Sequence, residues 1–288
     1  MLSFAVVVGA AAWLYLSAPE RQQEKPVATL AGSVVTAVAV RGGSAPTILV
    51  GTDSGLLASE DLGVTWRRML VPGGVRTIAA GGAPSPVFLA GQSLWRLEGQ
   101  DLSRVPTELP TDAVKALAVD PSNAGRLFAV VSGRGLVVSA DGGRTWHQIG
   151  SEVPTDADAL VMGGRMGPLF LATRQHGIFA SADGRSWANA NGFVNGALPT
   201  RAIAALAYDP RSGDRYVAPN GQVSTGALYA GTDLGLFKSI DEGQSWSDLS
   251  LRRPIQAVAV SLEGPRLLVA VDVSGNVYRS LDGGNTWR

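Results

Sequence analysis

The chain of 288 residues contains no cysteine. That excludes thiol catalysis, disulfides, iron–sulfur ligation and Cys-based zinc sites, and it fits an oxidising compartment. Histidine is nearly absent, with 2 residues, His147 and His176. They lie one repeat apart, not at metal-ligand spacing, and read as exposed loop residues. Charged side chains make up only 17% and the formal net charge is zero, so the basic footprint of a nucleic-acid binder is missing. Lysine is scarce, 3 residues against 21 arginines, so the cations are mostly planar forks suited to carboxylates and phosphates. Glutamate is scarce too, at 8 residues. No His-Glu-x-x-His, phosphate-loop or dinucleotide fingerprint occurs, and the Gly-Gly pairs sit at strand ends and read as turns. No cofactor and no metal site is expected, and no catalytic residue is assigned.

What is present begins with an uncharged run, LSFAVVVGAAAWLYL, from Leu2 to Leu16. As a helix, residues 1–18 reach about 27 Å, just short of a ~30 Å hydrocarbon core. Trp13 and Tyr15 stand where amphipathic rings favour headgroups. A cleaved signal needs a basic leader and small residues before the cut, and against a buried core helix the run is apolar on every face and precedes a polar linker. The run therefore reads as a single-pass membrane anchor over residues 1–18, ahead of those two alternatives. A polar linker, 19–29, follows it. Its flanking charges, Glu20, Arg21, Glu24 and Lys25, cancel and leave orientation open.

From residue 30 the chain repeats a box, Ser-x-Asp-x-Gly-x-Thr/Ser-Trp. It runs from Ser59 to Trp66, Ser139 to Trp146, Ser239 to Trp246 and Ser280 to Trp287, with a shortened copy from Ser181 to Trp187. A degenerate unit lies between residues 88 and 106, where Trp95 is displaced. A period near 40 residues, with short strands in each unit, signals a propeller. In the third unit the alternation predicts strands at Val114–Val119, Leu127–Val131, Gly135–Ser139 and Thr145–Ile149. Ala-rich innermost strands are expected to begin near Val35, Val75, Val114, Ala157, Ile203 and Ile255. The fold class is thus all-β, a six-bladed propeller of four-stranded blades over residues 30–288 behind one transmembrane helix. Residues 27–33 are expected to close the ring.

The box has a local logic. Asp61, Asp141, Asp183, Asp241 and Asp282 accept backbone N–H bonds across the turn, and Trp66, Trp146, Trp187, Trp246 and Trp287 wedge between blades. A residue repeated once per blade cannot converge on one substrate, so the box is structural.

These residues resemble the Asp-box, or BNR-repeat, β-propellers. Gly-Thr-Asp-x-Gly-Leu, at Gly51–Leu56 and Gly231–Leu236, is similar to the photosystem II stability and assembly factor branch. That resemblance implies a propeller without enzymatic activity that docks on membrane complexes. Sialidases carry the same box, so a glycan hydrolase of sialidase type is the rival, and a carbohydrate- or peptide-binding propeller a third reading. Candidate partner-binding residues are the cations Arg67, Arg68, Arg76, Lys115, Arg201, Arg252 and Arg253, read as a basic patch around the mouth. To these are added Phe193 and Tyr216, in loop insertions at 189–200 and 210–225. The expected partners are subunits of a membrane protein complex, photosynthetic by the resemblance, and the membrane through residues 1–18; no nucleic acid is expected. The expected location is the inner membrane with the propeller on the periplasmic side.

Overall fold

The computed structural model describes residues 24–288 apart from 44, 155, 165–166, 194–195, 218–220, 222 and 225. Six four-stranded antiparallel sheets follow one another around a central axis. Blade 1 comprises Val35–Arg41, Thr47–Thr52, Gly55–Ser59 and Arg67–Met69 from the axis outward, and blade 2 comprises Thr77–Ala80, Val87–Ala90, Leu94–Glu98 and Asp101–Arg104. Blade 3 comprises Val114–Asp120, Asn123–Val131, Gly135–Ser139 and His147–Gly150. Blade 4 runs Ala157–Met162, Leu169–Thr173, Ile178–Ser181 and Ala188–Asn189. Blade 5 runs Ile203–Asp209, Ala227–Thr232, Leu236–Ser239 and Ser247–Asp248. Blade 6 is built from Ile255–Val260, Leu268–Asp272 and Asn276–Ser280, with Ala28–Thr29 at its outer edge.

Alternation sets the packing. A strand with both faces against neighbouring blades is apolar on both, and Thr47–Thr52 and Ala227–Thr232 are buried throughout. The core is divided into six apolar clusters, each spanning two adjacent blades. The cluster between blades 6 and 1 joins Val269 and Val277 to Val38 and Ile48, which carries the ring across the closure.

Both ends of the described chain share the outer edge of blade 6. Ala28 pairs with Val277 and Thr29 with Asn276, while Arg288 exchanges two backbone bonds with Arg279, at 2.7 and 2.9 Å. The closing strand thus begins at Ala28, inside the segment read as linker. Leu30 anchors it, 7% exposed in the shared cluster. This covers an edge that would otherwise offer unpaired backbone groups to a second chain.

The expected innermost strands begin where alternation placed them, except in blade 2. There Val75 N–H bonds to Thr52 O of blade 1, Arg76 N–H bonds to Ala90 O of its own blade, and the paired strand starts at Thr77. The degenerate box of blade 2 is a tight hairpin in which Glu98 faces Asp101 and Gly99 adopts φ +58°. No helix among the described residues is long and apolar enough to cross a membrane, and the anchor expected over residues 1–18 lies outside them.

Candidate functional site at the channel mouth

Each innermost strand starts at one face of the disc, the mouth face, and the box turns lie on the opposite one. In five of the six innermost strands the pairing register slips at the second residue, between Val35 and Ala37, Val114 and Ala116, Ala157 and Ala159, Ile203 and Ala205, and Ile255 and Ala257. A bulge re-aims its extra side chain. Here the second positions are Thr36, Lys115, Asp158, Ala204 and Gln256, and Arg76 is their counterpart ahead of the blade 2 strand. Five of these six line a mouth cavity of about 100 Å³. Lys115 turns aside, into a cleft of about 270 Å³ that it shares with Ser132, Arg134, Gln148 and Ser151.

Half of this ring is tied down. Gln256 Nε2 donates to Val35 O, Thr36 Oγ1 to Val75 O, and Arg76 Nη1 to Asp112 O. Each bond runs from one blade to the next, so blades 6, 1, 2 and 3 are linked around the mouth. Asp158 is held within its own blade by Arg174 Nε. The arc from Lys115 through Asp158 to Ala204 carries no such blade-to-blade hydrogen bond among the described residues, and it borders the Lys115 cleft.

Two residues deeper, Val38, Ile78, Leu117, Leu160, Leu206 and Val258 form a second ring, every member 9% exposed or less. These six aliphatic side chains line both the mouth cavity and a second cavity at the box face. They form a plug between the two. The mouth is therefore a shallow dish with polar walls and an apolar floor.

The other candidate cations are distributed more widely than a patch. Arg67 points toward the box side and pairs with Glu60 at 3.4 Å. Arg68 donates to Ser54 Oγ at 3.2 Å, and Arg201 is exposed before blade 5. Arg252 pairs with Asp248 at 2.7 Å. Arg253 stacks 4.6 Å from the Tyr278 ring centroid, donates to Tyr278 Oη at 2.5 Å, and meets Glu24 at 3.9 Å. Burial and the nearby Asp272 carboxylate raise the Tyr278 pKa; partial burial, opposed by Arg253, raises that of Glu24. With Asp156 on His176, Asp158 on Arg174 and Asp248 on Arg252, the mouth face is charge-mixed rather than uniformly basic.

The two insertions converge. Phe193, 70% exposed, donates its backbone N–H to Gln244 O at 3.2 Å, and Gln244 Nε2 donates to Tyr216 Oη at 2.6 Å. Both insertions therefore meet at the box of blade 5.

The box geometry repeats closely. In blade 3 Ser139 Oγ donates to Asp141 Oδ1 at 2.8 Å and accepts Gly143 N–H at 2.9 Å, while Thr145 Oγ1 donates to Asp141 Oδ2 at 2.7 Å. The Thr65 hydroxyl and N–H hold Asp61 down at about 2, and the Thr145 N–H and hydroxyl lower Asp141 further. For Asp282, burial pushes upward, but the Thr286 hydroxyl and N–H win and leave it at about 2. Asp183 is lowered mainly by the N–H groups of Ser186 and Arg185. Asp241 makes the matching bonds, from Ser239 at 2.8 Å and Ser245 N–H at 2.8 Å. Each indole lies against the preceding blade: Trp146 donates to Thr107, Trp246 to Ala190 O and Trp287 to Leu249 O, while Trp66 and Trp187 pack into the clusters shared with blades 6 and 3.

The sequence reading named Arg76 and Lys115 but missed Thr36, Asp158, Gln256 and the plug. Aligning the six innermost strands, VTAVAV, VRTIAA, VKALAV, ADALVM, IAALAY and IQAVAV, would have exposed the polar second position and the aliphatic fourth.

No family model and no curated protein matches the chain. Solved structures do. A GH74 xyloglucanase from Xanthomonas campestris is 20% identical at a TM-score of 0.57, over 92% of this chain and 46% of that one. U3-55K is 12% identical at a TM-score of 0.58, over 89% of this chain and 80% of its own. YCF48 bound to D1 peptide is 14% identical at a TM-score of 0.52, over 92% and 83%. The chain spans less than half the length of the GH74 structures it matches. At these identities the likeness establishes the fold alone: the chain is a six-bladed β-propeller.

Proposed function

We propose that the chain is a non-enzymatic, membrane-tethered propeller that holds a polar polypeptide segment of a membrane protein complex at its mouth face. The observation that carries this reading is the mouth itself. The dish is walled by Arg76, Asp158, Gln256 and Thr36, borders the Lys115 cleft and is floored by the aliphatic plug. A plugged floor suits a segment lying across the mouth. The tied half of the ring keeps its geometry fixed, which lowers the ordering cost of binding. YCF48, with its D1 peptide, uses the same fold to carry a peptide, which makes a photosynthetic membrane complex the first partner to test.

The tether fits this use. Glu24 rests against Arg253 at the rim between blades 5 and 6. The seven residues from Ser17 to Gln23 span at most about 25 Å when extended. With the apolar run in a bilayer, the propeller stays within that reach of its membrane partners, at high effective concentration. We place it on the periplasmic side of the inner membrane, in line with the missing cysteines.

The hydrolase reading is weaker. Glycosidases set two carboxylates roughly 5–10 Å apart. Of the six mouth positions only Asp158 is acidic, and Arg174 occupies it.

Affinity purification of the full chain from solubilised membranes tests the proposal. The expected result is co-purification of membrane-complex subunits that is lost in Arg76→Glu/Lys115→Glu and kept in Arg67→Glu. Equal loss of co-purification in the Arg67→Glu control, or release of reducing sugar from xyloglucan, would overturn it. Protease added outside spheroplasts should cut the propeller loops; cleavage only in inverted vesicles would move the propeller to the cytoplasm.

A further inference from the structure

The box-face end of the channel is chemically the reverse of the mouth. Two residues beyond the plug the innermost strands present Val40, Ala80, Val119, Met162, Tyr208 and Val260. Pro121, Pro210 and Leu262, from loops between first and second strands, form the rim. Together with the plug these residues enclose about 110 Å³, with no charged side chain among the described residues of the lining. The pocket is blind at the plug and open to the box face.

Its shape is set by unequal partners. Ala80 and Tyr208 come from blades 2 and 5, which face each other across a six-blade ring. The smallest ring member therefore faces the largest. The Tyr208 ring is fixed where it stands. It stacks on Phe170 at 6.2 Å and 18°, and its hydroxyl lies where a Cβ on Gly226 would come within 2.0 Å. A glycine at 226 leaves that space to the phenol. The slot beside Tyr208 is thus built from fixed walls.

An apolar cavity of roughly 150 Å³ excludes water and takes up benzene or xenon. Ligand pockets are in general concave and mostly apolar. The geometry points to a binding site here for a small uncharged molecule carrying one ring or a short branched alkyl group. The pocket is of similar size and is open at one end, so a single ring seats against Tyr208 and Ala80 with any substituent projecting past Pro121 and Leu262. An anion is disfavoured, because no cation among the described lining residues could replace its hydration. This site is separate from the mouth: the plug lies between them, and occupancy does not depend on a tether or a protein partner.

Methionine gives a direct reporter. The chain has 4 methionines; Met162 lines the pocket, and Met69 lies in the outer strand of blade 1. The experiment is methyl NMR of the ¹³C-methyl-Met full chain in amphipol, with toluene supplied through the vapour phase so that its activity is fixed. A saturable ring-current shift at Met162 and none at Met69 is expected, with no shift from benzoate. Ala80→Phe fills the slot and should lower toluene affinity at least tenfold. Leu262→Glu, a rim change that leaves the core untouched, should do the same. The proposal fails if the Met162 shift does not saturate, if Met69 moves equally, if benzoate binds as well, or if toluene affinity survives in Leu262→Glu.

Discussion

Trp146 offers the sharpest test of how the ring is held together. Its side chain is 3% exposed, in the cluster that joins blades 2 and 3 with Leu94, Val105 and Leu127. The indole N–H reaches Gly143 O at 2.9 Å and Thr107 Oγ1 at 3.1 Å. A tryptophan of this kind buries about 200 Å², or about 5 kcal/mol at ~25 cal/mol per Å². The unfolded chain already hides part of that surface, and truncation of buried aromatics costs about 3–5 kcal/mol. Trp146→Ala should therefore lose about 3–5 kcal/mol, or roughly 6–20 °C in melting temperature for a chain of this size. Trp187 supplies the internal control. It is only half-buried against Leu136 and Ile149, and its buried indole N–H has no partner among the described residues. Removing an unpaired donor returns part of the packing loss, so Trp187→Ala should cost about 1–2 kcal/mol. His147→Ala, at an exposed position, should be neutral. Urea unfolding followed by tryptophan fluorescence and far-UV circular dichroism measures all three. Equal losses at Trp146 and Trp187, or a loss below about 1 kcal/mol at Trp146, would refute the wedge.

Ser139→Ala removes the acceptor of the buried Gly143 N–H and should cost about 1–3 kcal/mol by thermal melting; a neutral result would mean that the box turn is not held by this hydroxyl. Leu30→Asp puts an unpaired charge into the closure cluster and should cost about 3 kcal/mol or more, with concentration-dependent association in light scattering as the blade 6 edge opens. The depressed box aspartates impose a pH dependence of definite sign. Their folded pKa values lie below the ordinary carboxylate range, so their contribution is complete above about pH 4 and is lost as pH falls through about 2. Melting temperature should drop between pH 4 and 2, less steeply in Asp61→Asn; equal slopes would show that Asp61 is not a contributor.

Blade number, box turns and most innermost strands were legible in the residues because each rests on a local rule. Alternation marks the strands, and Ser-x-Asp-x-Gly marks the turn whatever lies around it. The blade 2 strand starts late, at Thr77, where the Val75 N–H is drawn to Thr52 O of blade 1, a through-space fact that no local pattern carries. The cations were legible as residue types but not as a patch. Glu60, Asp248 and Tyr278 meet Arg67, Arg252 and Arg253 only after the sheet has folded. The convergence of Phe193 and Tyr216 on Gln244 is likewise invisible across insertions that lie apart in sequence.

The channel shows why site chemistry is harder to read than fold. Along any one innermost strand, the second, fourth and sixth residues are unremarkable: Val-Lys-Ala-Leu-Ala-Val in blade 3 looks like an ordinary buried strand with one misplaced lysine. The bulge at Lys115 re-aims that side chain into the cleft beside the mouth, and the other five blades bring their own second positions to the same level. The same register places Leu117 in the plug and Val119 in the box-face pocket. Each level is read around the axis and not along the chain, so its chemistry is the sum of six positions scattered between Thr36 and Val260. A polar dish and an apolar pocket can therefore sit back to back in strands of nearly uniform composition. A substitution at a second position should alter the mouth alone, and one at a sixth position the pocket alone. Arg76→Glu should leave toluene binding unchanged, and Ala80→Phe should leave partner capture unchanged. Cross-talk in either direction would mean that the aliphatic plug does not separate the two.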